Sequence, residues 1–381
     1  KIQNYLVTNA GGILLKNEAK ILLQILRNKT IRRKELEEII DVTPSTMTYL
    51  LDKLKGYIEI EEGDTNLGKP PQFISLSKDA WKVLSISVGR EKIRAILYNA
   101  KGEELERSEY RVKHENLSND GITSLVKNII DKFYDYDSIG IAFSGNVVED
   151  KVYSTILKLD KYDPVKSLKL KNLGIPYVII SDVEAIAAYE SKTTGNDKVF
   201  VLNYGTGIGA CYYEYHALFT RDEFKVIPLG HIYLNGEEKC YCGAKGCLET
   251  VASDYVAVKN YLGQNIDFVH FIENEETFWE ELKDVRNLYK QNEEVAERVY
   301  SQIIDNLAFV VGNISMILGL DEITLYGEGT STWFANKLEK RINELSKNFN
   351  VRVRHGKVMD VVERGTSLEA AVAFVRKKFS K

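Results

Sequence analysis

The stretch from Gly230 to Glu249 constrains the fold more than any other, because it gathers one histidine and three cysteines in a short loop. His231, Cys240, Cys242 and Cys247 supply one imidazole and three thiolates, a complete tetrahedral ligand set for zinc. Four protein ligands leave no position for water, so we expect a structural zinc ion that pins the loop. The alternative is three reduced surface cysteines beside an unrelated histidine. The metal site is favoured because three of the chain's 4 cysteines fall here.

Composition limits the remaining possibilities. The chain has 381 residues, enough for two or three domains, and its 44% hydrophobic and 28% charged content is ordinary for a soluble protein. No run of about 18 apolar residues is present, so we expect no transmembrane helix and no membrane partner. Residues 1–10 are too polar for a secretory signal, and the few cysteines indicate a reducing cytoplasm. The net charge of −4 leaves room for a local basic region that binds nucleic acid.

Residues 1–76 are predicted to form a separate helix-turn-helix module. Ala19 to Leu26 has helical apolar spacing, and Arg32 to Ile40 gives a second short helix. Thr43 is a good N-cap and is followed by a proline suited to the first helical position. A third helix is therefore expected over Ser45 to Lys55.

The outer face of this third helix offers short hydrogen-bonding groups and one aromatic ring, as expected for a helix in a DNA major groove. Two predicted strands follow, Tyr57–Ile60 and Gln72–Leu76, and the tip between them completes a wing. A helical domain that only mediates dimerisation is the alternative. The candidate DNA-binding residues are Arg32, Thr43, Ser45, Thr46, Thr48, Tyr49, Lys53 and, at the wing tip, Lys69.

Strands and helices alternate from Trp81 onward, which predicts an α/β architecture. Strand pairs begin near residues 83 and 198, and this recurrence suggests two similar lobes around a cleft. Ligands of such proteins usually bind in the cleft. Three features are candidates to meet there.

The first feature is Ser181-Asp182 at the start of a predicted helix. A capping box of Ser181 with Glu184 is the structural alternative. That box would leave Asp182 free, at a position where its carboxylate can accept a proton.

The second and third features lie further along the chain. Gly205, Thr206 and Gly207 open a glycine-rich turn whose backbone N–H groups can cradle phosphate, although a hairpin needs no ligand. In the zinc loop, the second ring nitrogen of His231 and the carboxylate of Glu249 can bond a ligand.

The chain resembles the ROK family, whose members are bacterial sugar kinases and repressors. The resemblance rests on the histidine–cysteine segment 230–249, supported by 203–209 and 324–329. It implies two ribonuclease-H-like lobes of the actin and hexokinase type, with a final helix over 367–379 that returns to the first lobe. Repressor members carry a winged helix-turn-helix in front. The implied domains are 1–76 for the DNA-binding module, 81–195 for the first lobe and 196–366 for the second lobe.

Three departures separate this chain from the kinases of that family. The kinases open with Asp-x-Gly-Gly-Thr to hold the phosphates of ATP and a metal, and residues 87–91 here lack the acid. We expect Glu91 to lie where phosphate oxygens would sit and to repel them. The family's Asn-Asp pair is Ser181-Asp182 here, and a sugar-binding glutamate is replaced by Pro228.

The resemblance therefore implies a cytoplasmic transcriptional repressor of carbohydrate genes, with operator DNA and a sugar effector as partners and a homodimer as its assembly. An ATP-dependent glucokinase or N-acetylglucosamine kinase is the alternative, with magnesium, ATP and Asp182 as general base. A third possibility is a repressor that has lost small-molecule sensing and is regulated by a protein partner. The ligand-binding residues implied are Ser181, Asp182, His231 and Glu249, with Asn146 and Thr155 at positions that resemble those near the sugar.

Overall fold

The computed structural model describes residues 15–64, 70–194, 196, 198–214, 224–345 and 350–379. The chain divides into two compact units. The first comprises the described residues of Lys1–Asp197, Glu214–Glu223 and Asp360–Lys381, and the second those of Lys198–Tyr213 and Phe224–Met359.

The first unit begins with three helices and a three-stranded antiparallel sheet in the order β1-β3-β2. Thr43 caps the third helix as predicted, since its hydroxyl accepts a hydrogen bond from the Thr46 amide at 3.3 Å. The three-residue strand β1 is too short to show a pattern and was not predicted. Lys69 lies outside the described residues. The elements are α1 (Asn17–Asn28), β1 (Thr30–Arg32), α2 (Arg33–Ile40), α3 (Pro44–Lys53), β2 (Ile58–Glu62) and β3 (Gln72–Leu76).

A mixed five-stranded sheet in the order β11-β7-β4-β5-β6 forms the core of the first lobe. β4, β7 and β11 run parallel, whereas β5 and β6 are antiparallel additions. The strands are β4 (Lys82–Val88), β5 (Lys92–Asn99), β6 (Glu104–Arg111), β7 (Ser138–Phe143) and β11 (Tyr177–Ser181), and β8 (Asn146–Val148), β9 (Lys151–Ser154) and β10 (Leu159–Tyr162) form a separate small sheet. The helices are α4 (Asn119–Ile130), α5 (Pro164–Ser167), α6 (Asp182–Thr193) and α13 (Val361–Lys378).

The last helix, α13, returns to the first lobe, as the resemblance implied. It begins at Val361 and not at Ser367. The first turns were missed in the sequence because their polar residues hide the helical pattern. Gly365 lies in those turns, and a Cβ atom there would come within 1.7 Å of the Ala185 carbonyl oxygen. The glycine therefore lets the backbones of α13 and α6 touch.

The second unit is built on a five-stranded sheet in the order β14-β13-β12-β15-β16. Its strands are β12 (Lys198–Tyr204), β13 (Ile208–Glu214), β14 (Phe224–Ile227), β15 (Glu322–Tyr326) and β16 (Arg352–His355). Its helices are α7 (Leu248–Ala252), α8 (Asp254–Leu262), α9 (Phe268–Glu273), α10 (Trp279–Gln291), α11 (Glu293–Leu318) and α12 (Thr332–Leu345).

Helix α11 is the one helix among the described residues that is, by length and composition, long and apolar enough to cross a membrane. Its buried residues pack within the second unit against α7, α8, α10 and α12. Packing in the core of this unit therefore accounts for the apolar residues of the helix. Each unit thus combines a five-stranded sheet with helices, the α/β architecture that the alternation of strands and helices predicted.

Candidate functional site

The carboxyl ends of two parallel strands position the Asp182 carboxylate. β7 and β11 run side by side with Phe143 opposite Ser181, so Ser144 and Asp182 leave the sheet at the same edge. The Ser144 hydroxyl donates to Asp182 Oδ2 at 3.0 Å, and the Val183 amide donates to Oδ1 at 2.8 Å. Ligands of open α/β sheets bind outside this edge.

Burial raises the pKa of Asp182 to about 6, against the opposing effect of the Ser144 hydrogen bond. The carboxylate is mostly ionised at neutral pH and is a strong hydrogen-bond acceptor. Ser181 precedes it as the fully buried N-cap of α6, with its hydroxyl accepting from the Glu184 amide at 3.2 Å. Capping accounts for Ser181 and leaves Asp182 for another role.

Asn146 and Thr155 lie at the same edge of the first lobe. Asn146 begins β8 and Thr155 follows β9, and both are exposed. The Ser154 hydroxyl donates to the Ser144 carbonyl at 2.5 Å, which joins the end of β9 to the loop that contacts Asp182. Ser144 and Ser154 were missed in the sequence. A polar Ser-Gly-Asn sequence directly after a buried strand was the pattern that could have revealed the first of them.

In the second unit, the four predicted metal ligands converge. Their ligand atoms all lie within 4.8 Å of one another. Cys240 Sγ lies 3.7 Å from His231 Nδ1, and Cys242 Sγ lies 3.6 Å from Cys247 Sγ. Tetrahedral zinc with Zn–S bonds of about 2.3 Å sets sulfur atoms about 3.8 Å apart. The donor set and its dimensions are therefore consistent with a zinc site.

Glu249 follows the last cysteine and lies under the glycine-rich turn. Its Oε1 accepts a hydrogen bond from the Ile208 amide at 2.8 Å. A Cβ atom at Gly230 would lie 2.3 Å from the same oxygen, so the glycine permits this close approach. Burial raises the pKa of Glu249, and the Ile208 N–H opposes that effect. The second oxygen, Oε2, is buried and makes no hydrogen bond of good geometry within the described residues, although interaction with the Tyr241 hydroxyl also helps to lower the pKa of this carboxyl.

The glycine-rich turn uses its own polar groups internally. Gly205 donates to the Gly207 carbonyl at 3.0 Å, and its carbonyl accepts from the Asp254 amide at 3.0 Å. Thr206 lies between these glycines, and the Ile208 N–H is taken by Glu249. These bonds occupy the amides of Gly205 and Ile208, and a phosphate cradle formed by the turn stays a prediction.

The turn at residues 87–91 faces a carboxylate other than the one expected. The Ser87 hydroxyl donates to Glu363 Oε1 at 2.5 Å, and Arg94 Nη1 pairs with that oxygen at 3.0 Å. Glu363 is only 2% exposed, whereas Glu91 is exposed. The buried negative charge beside this turn thus comes from α13.

The candidate DNA-binding residues of α3 share one exposed face. The Tyr49 ring is 59% exposed, and Lys53 Nζ lies 4.5 Å from its centroid. Arg33 was missed in the sequence, although it donates to the Pro44 carbonyl at 2.9 Å and to the Thr48 hydroxyl at 2.6 Å. It also donates to the Gln72 side chain of β3, so it ties the second and third helices to the wing. The exposed positions are Arg32, Thr43, Ser45, Thr46, Thr48, Tyr49 and Lys53.

Comparison with known proteins agrees with this architecture. Residues 83–373 match the ROK family. A xylose repressor of Caldicellulosiruptor bescii is 25% identical over 376 residues, which cover 90% of this chain and 92% of the relative. The crystal structure of a ROK family transcriptional regulator, a homolog of the Escherichia coli Mlc protein, matches with a TM-score of 0.72 at 18% identity, covering 94% of this chain and 97% of the other.

A ROK family glucokinase from Streptomyces griseus, solved with glucose and AMPPNP, matches with a TM-score of 0.62 at 17% identity. That match covers 76% of this chain and 99% of the kinase. The fold is thus shared between kinases and regulators, and the residues ahead of position 83 lie outside the family match. The chain belongs to the ROK family, and its described residues ahead of the family match form three helices and a three-stranded sheet.

Proposed function

We propose that this protein is a cytoplasmic transcriptional repressor of carbohydrate genes that binds operator DNA through α3 and responds to a sugar. The observation that carries the proposal is the exposed polar face of α3, capped by Thr43 and fixed to its neighbours by Arg33. Hydroxyl groups and an aromatic ring suit the edges and methyl groups of bases in a major groove. Lys53 supplies a positive charge for the phosphate backbone.

For the effector, we propose that the carboxylates of Asp182 and Glu249 accept hydrogen bonds from sugar hydroxyl groups. Asp182 is supported by its raised pKa and its fixed hydrogen bonds, and Glu249 by the buried oxygen that makes no hydrogen bond of good geometry within the described residues. Asn146, Thr155 and His231 are the further contacts we propose. D-xylose is the first candidate, because the relative from C. bescii is a xylose repressor.

We also propose that His231 and the three cysteines hold a structural zinc ion. The ion would neutralise thiolates in a loop that ends directly at α7, the helix that carries Glu249. Zinc binding would therefore fix the position of Glu249 and would take no part in chemistry.

The proposed assembly is a homodimer formed through α11. The first half of this helix exposes polar residues, but its second half exposes Phe309 (57%), Met316 (45%) and Ile317 (81%). We favour a second copy of this chain as the partner that covers this apolar face. A repressor that binds a two-fold symmetric operator has to be a dimer, and a two-fold symmetric interface pairs the same face of each subunit. Ile317→Lys should yield monomers by light scattering, and an unchanged mass would refute this interface. Loss of the protein to membranes during fractionation would instead identify a lipid surface.

Operator binding is tested by selecting target sites from a pool of random 40-base-pair duplexes and measuring affinity by fluorescence anisotropy. Tyr49→Ala should weaken binding by about 1–3 kcal/mol, the worth of a good base contact. Tyr134→Ala is the matched control, since that ring is 77% exposed and lies in the first lobe. Failure to select any sequence from the pool would overturn the repressor proposal.

The kinase alternative has one observation in its favour, an Asp182 pKa near the value wanted of a general base. A coupled assay with ATP, magnesium and a panel of D-xylose, D-glucose, N-acetylglucosamine and N-acetylmannosamine separates the two proposals. We expect no saturable turnover, because residues 87–91 lack the acid of the kinase motif and the Ser87 hydroxyl is already bonded to Glu363.

A further inference from the structure

Helix α1 is buried on every side. An amphipathic surface helix has one apolar stripe, but α1 is buried at consecutive positions through more than a full turn. One face packs against α2 and α3 of the DNA-binding module, and the other packs against α6 and α13 of the first lobe. The module is therefore seated on the lobe by its own core helix. The buried positions are Ala19, Ile21, Leu22, Leu23, Gln24, Ile25 and Leu26.

The carboxyl end of α13 makes a second contact with the module. The rings of Tyr57 and Phe379 meet edge to face with centroids 5.4 Å apart. The Lys16 amide, directly ahead of α1, donates to the Phe379 carbonyl at 3.4 Å. Lys378 Nζ lies 5.4 Å from the centre of the Tyr57 ring. Because Tyr57 follows α3 in the chain, this contact reaches the base of the recognition helix.

Helices α6 and α13 are held together at two places. Gly365 brings the two backbones into contact at Ala185. Further along, Lys192 Nζ pairs with Glu369 Oε1 at 2.5 Å, and the two side chains are only 1% and 6% exposed. Separating such a pair would leave an uncompensated charge in the interior, so sliding of one helix along the other is strongly opposed. The two helices therefore move as one body.

The other end of α6 carries Asp182, the carboxylate that we propose for the sugar. We propose that α6 and α13 form a single lever that couples effector binding at Asp182 to the DNA-binding module through α1 and the Tyr57–Phe379 contact. This inference rests on the proposed function. A ligand that displaces Asp182 displaces α6, and α13 follows because of the two contacts between them. The displacement affects DNA binding only if the sugar prefers one of the two positions.

The test uses the full-length protein and the selected operator. The coupling factor is the operator Kd at 50 mM D-xylose divided by the operator Kd without sugar. Wild-type protein should show a factor of about 5–150, the usual range of allosteric coupling. Phe379→Ala and Tyr57→Ala each weaken one of the two connections and should lower the factor by at least about twofold, a loss of at least about 0.4 kcal/mol of coupling free energy. The sugar affinity of the free protein should be unchanged.

Tyr134→Ala is the control and should keep the wild-type factor. A second variant, Lys192→Met with Glu369→Leu, replaces the ion pair by apolar groups that can slide, and it should lower the factor without unfolding the chain. If circular dichroism shows that either aromatic variant fails to fold, this double variant tests the lever in its place.

Wild-type coupling that persists in Phe379→Ala, Tyr57→Ala and the double variant would overturn the lever alone. A wild-type protein whose operator affinity ignores D-xylose, D-glucose and N-acetylmannosamine would overturn the proposed sugar response, and the lever with it.

Discussion

Replacement of Asp182 by asparagine should make the protein more stable at neutral pH. Burial raises the pKa of this carboxyl from 3.8 to about 6. Each pKa unit corresponds to about 1.4 kcal/mol, so the ionised side chain costs the folded state about 3 kcal/mol above pH 7. The folded-state pKa is the higher one, so the contribution of Asp182 to stability is complete below pH 4 and is lost as the pH rises through 6.

Asparagine stays neutral and retains the essential contacts. Its carbonyl oxygen can accept from the Val183 amide, and its amide group can donate to the Ser144 hydroxyl. The difference in stability between Asp182→Asn and wild type should therefore be near zero at pH 4 and approach 3 kcal/mol at pH 7.5. A change of 1 kcal/mol moves the melting temperature of a 150–250-residue domain by about 2–4 °C.

Thermal unfolding monitored by circular dichroism between pH 4 and pH 8 measures this difference. Asp160→Asn, at an exposed position, is the control and should change stability by less than about 0.5 kcal/mol at every pH. A melting-temperature difference for Asp182→Asn that stays constant across the range would refute the burial argument.

Sugar affinity of the wild type should also rise as the pH increases through 6, because the ionised carboxylate is the stronger acceptor.

Three further predictions concern the zinc loop and the α6–α13 contact. Glu249→Gln should keep an oxygen for the Ile208 amide but weaken sugar binding by about 1–3 kcal/mol, measured by calorimetry, and an unchanged Kd would remove Glu249 from the site. Cys242→Ser should lower the zinc content measured by mass spectrometry together with the melting temperature, and retention of one ion per chain would contradict the ligand assignment. Gly365→Ala should destabilise the protein by at least about 1–3 kcal/mol in thermal unfolding, because its methyl group would overlap the facing backbone of α6. Gly56→Ala, whose new methyl group would meet no atom of the described residues within 4 Å apart from its chain neighbours, is the matched control and should have little effect.

Local chemistry was predictable from the sequence. The metal ligands fall in one loop, and the N-cap at Thr43 follows from a residue and its neighbour, so both could be read without the fold. Asp182 was singled out because it begins a helix directly after a buried strand. Each of these features depends on residues that are close together in the chain.

Contacts between distant segments were not predictable in the same way. Glu363 meets Ser87 only because α13 returns across the sheet, and no pattern near residue 87 reveals it. The early start of α13 was hidden because Gly365 lowers helix propensity where two backbones must touch. Arg33 looked like one more surface charge, since its acceptors at Pro44 and Thr48 are set by the angle between two helices.

Under the proposed function, the burial of α1 on all sides has a consequence for the spacing of operator half-sites. A DNA-binding module on a flexible linker can rotate to follow its half-site around the DNA axis. A module whose core helix packs against the first lobe cannot. Each inserted base pair rotates one half-site by about 34° relative to the other, given about 10.5 base pairs per turn. Promoters served by this protein should therefore tolerate changes in half-site sequence far better than the gain or loss of a single base pair between the half-sites.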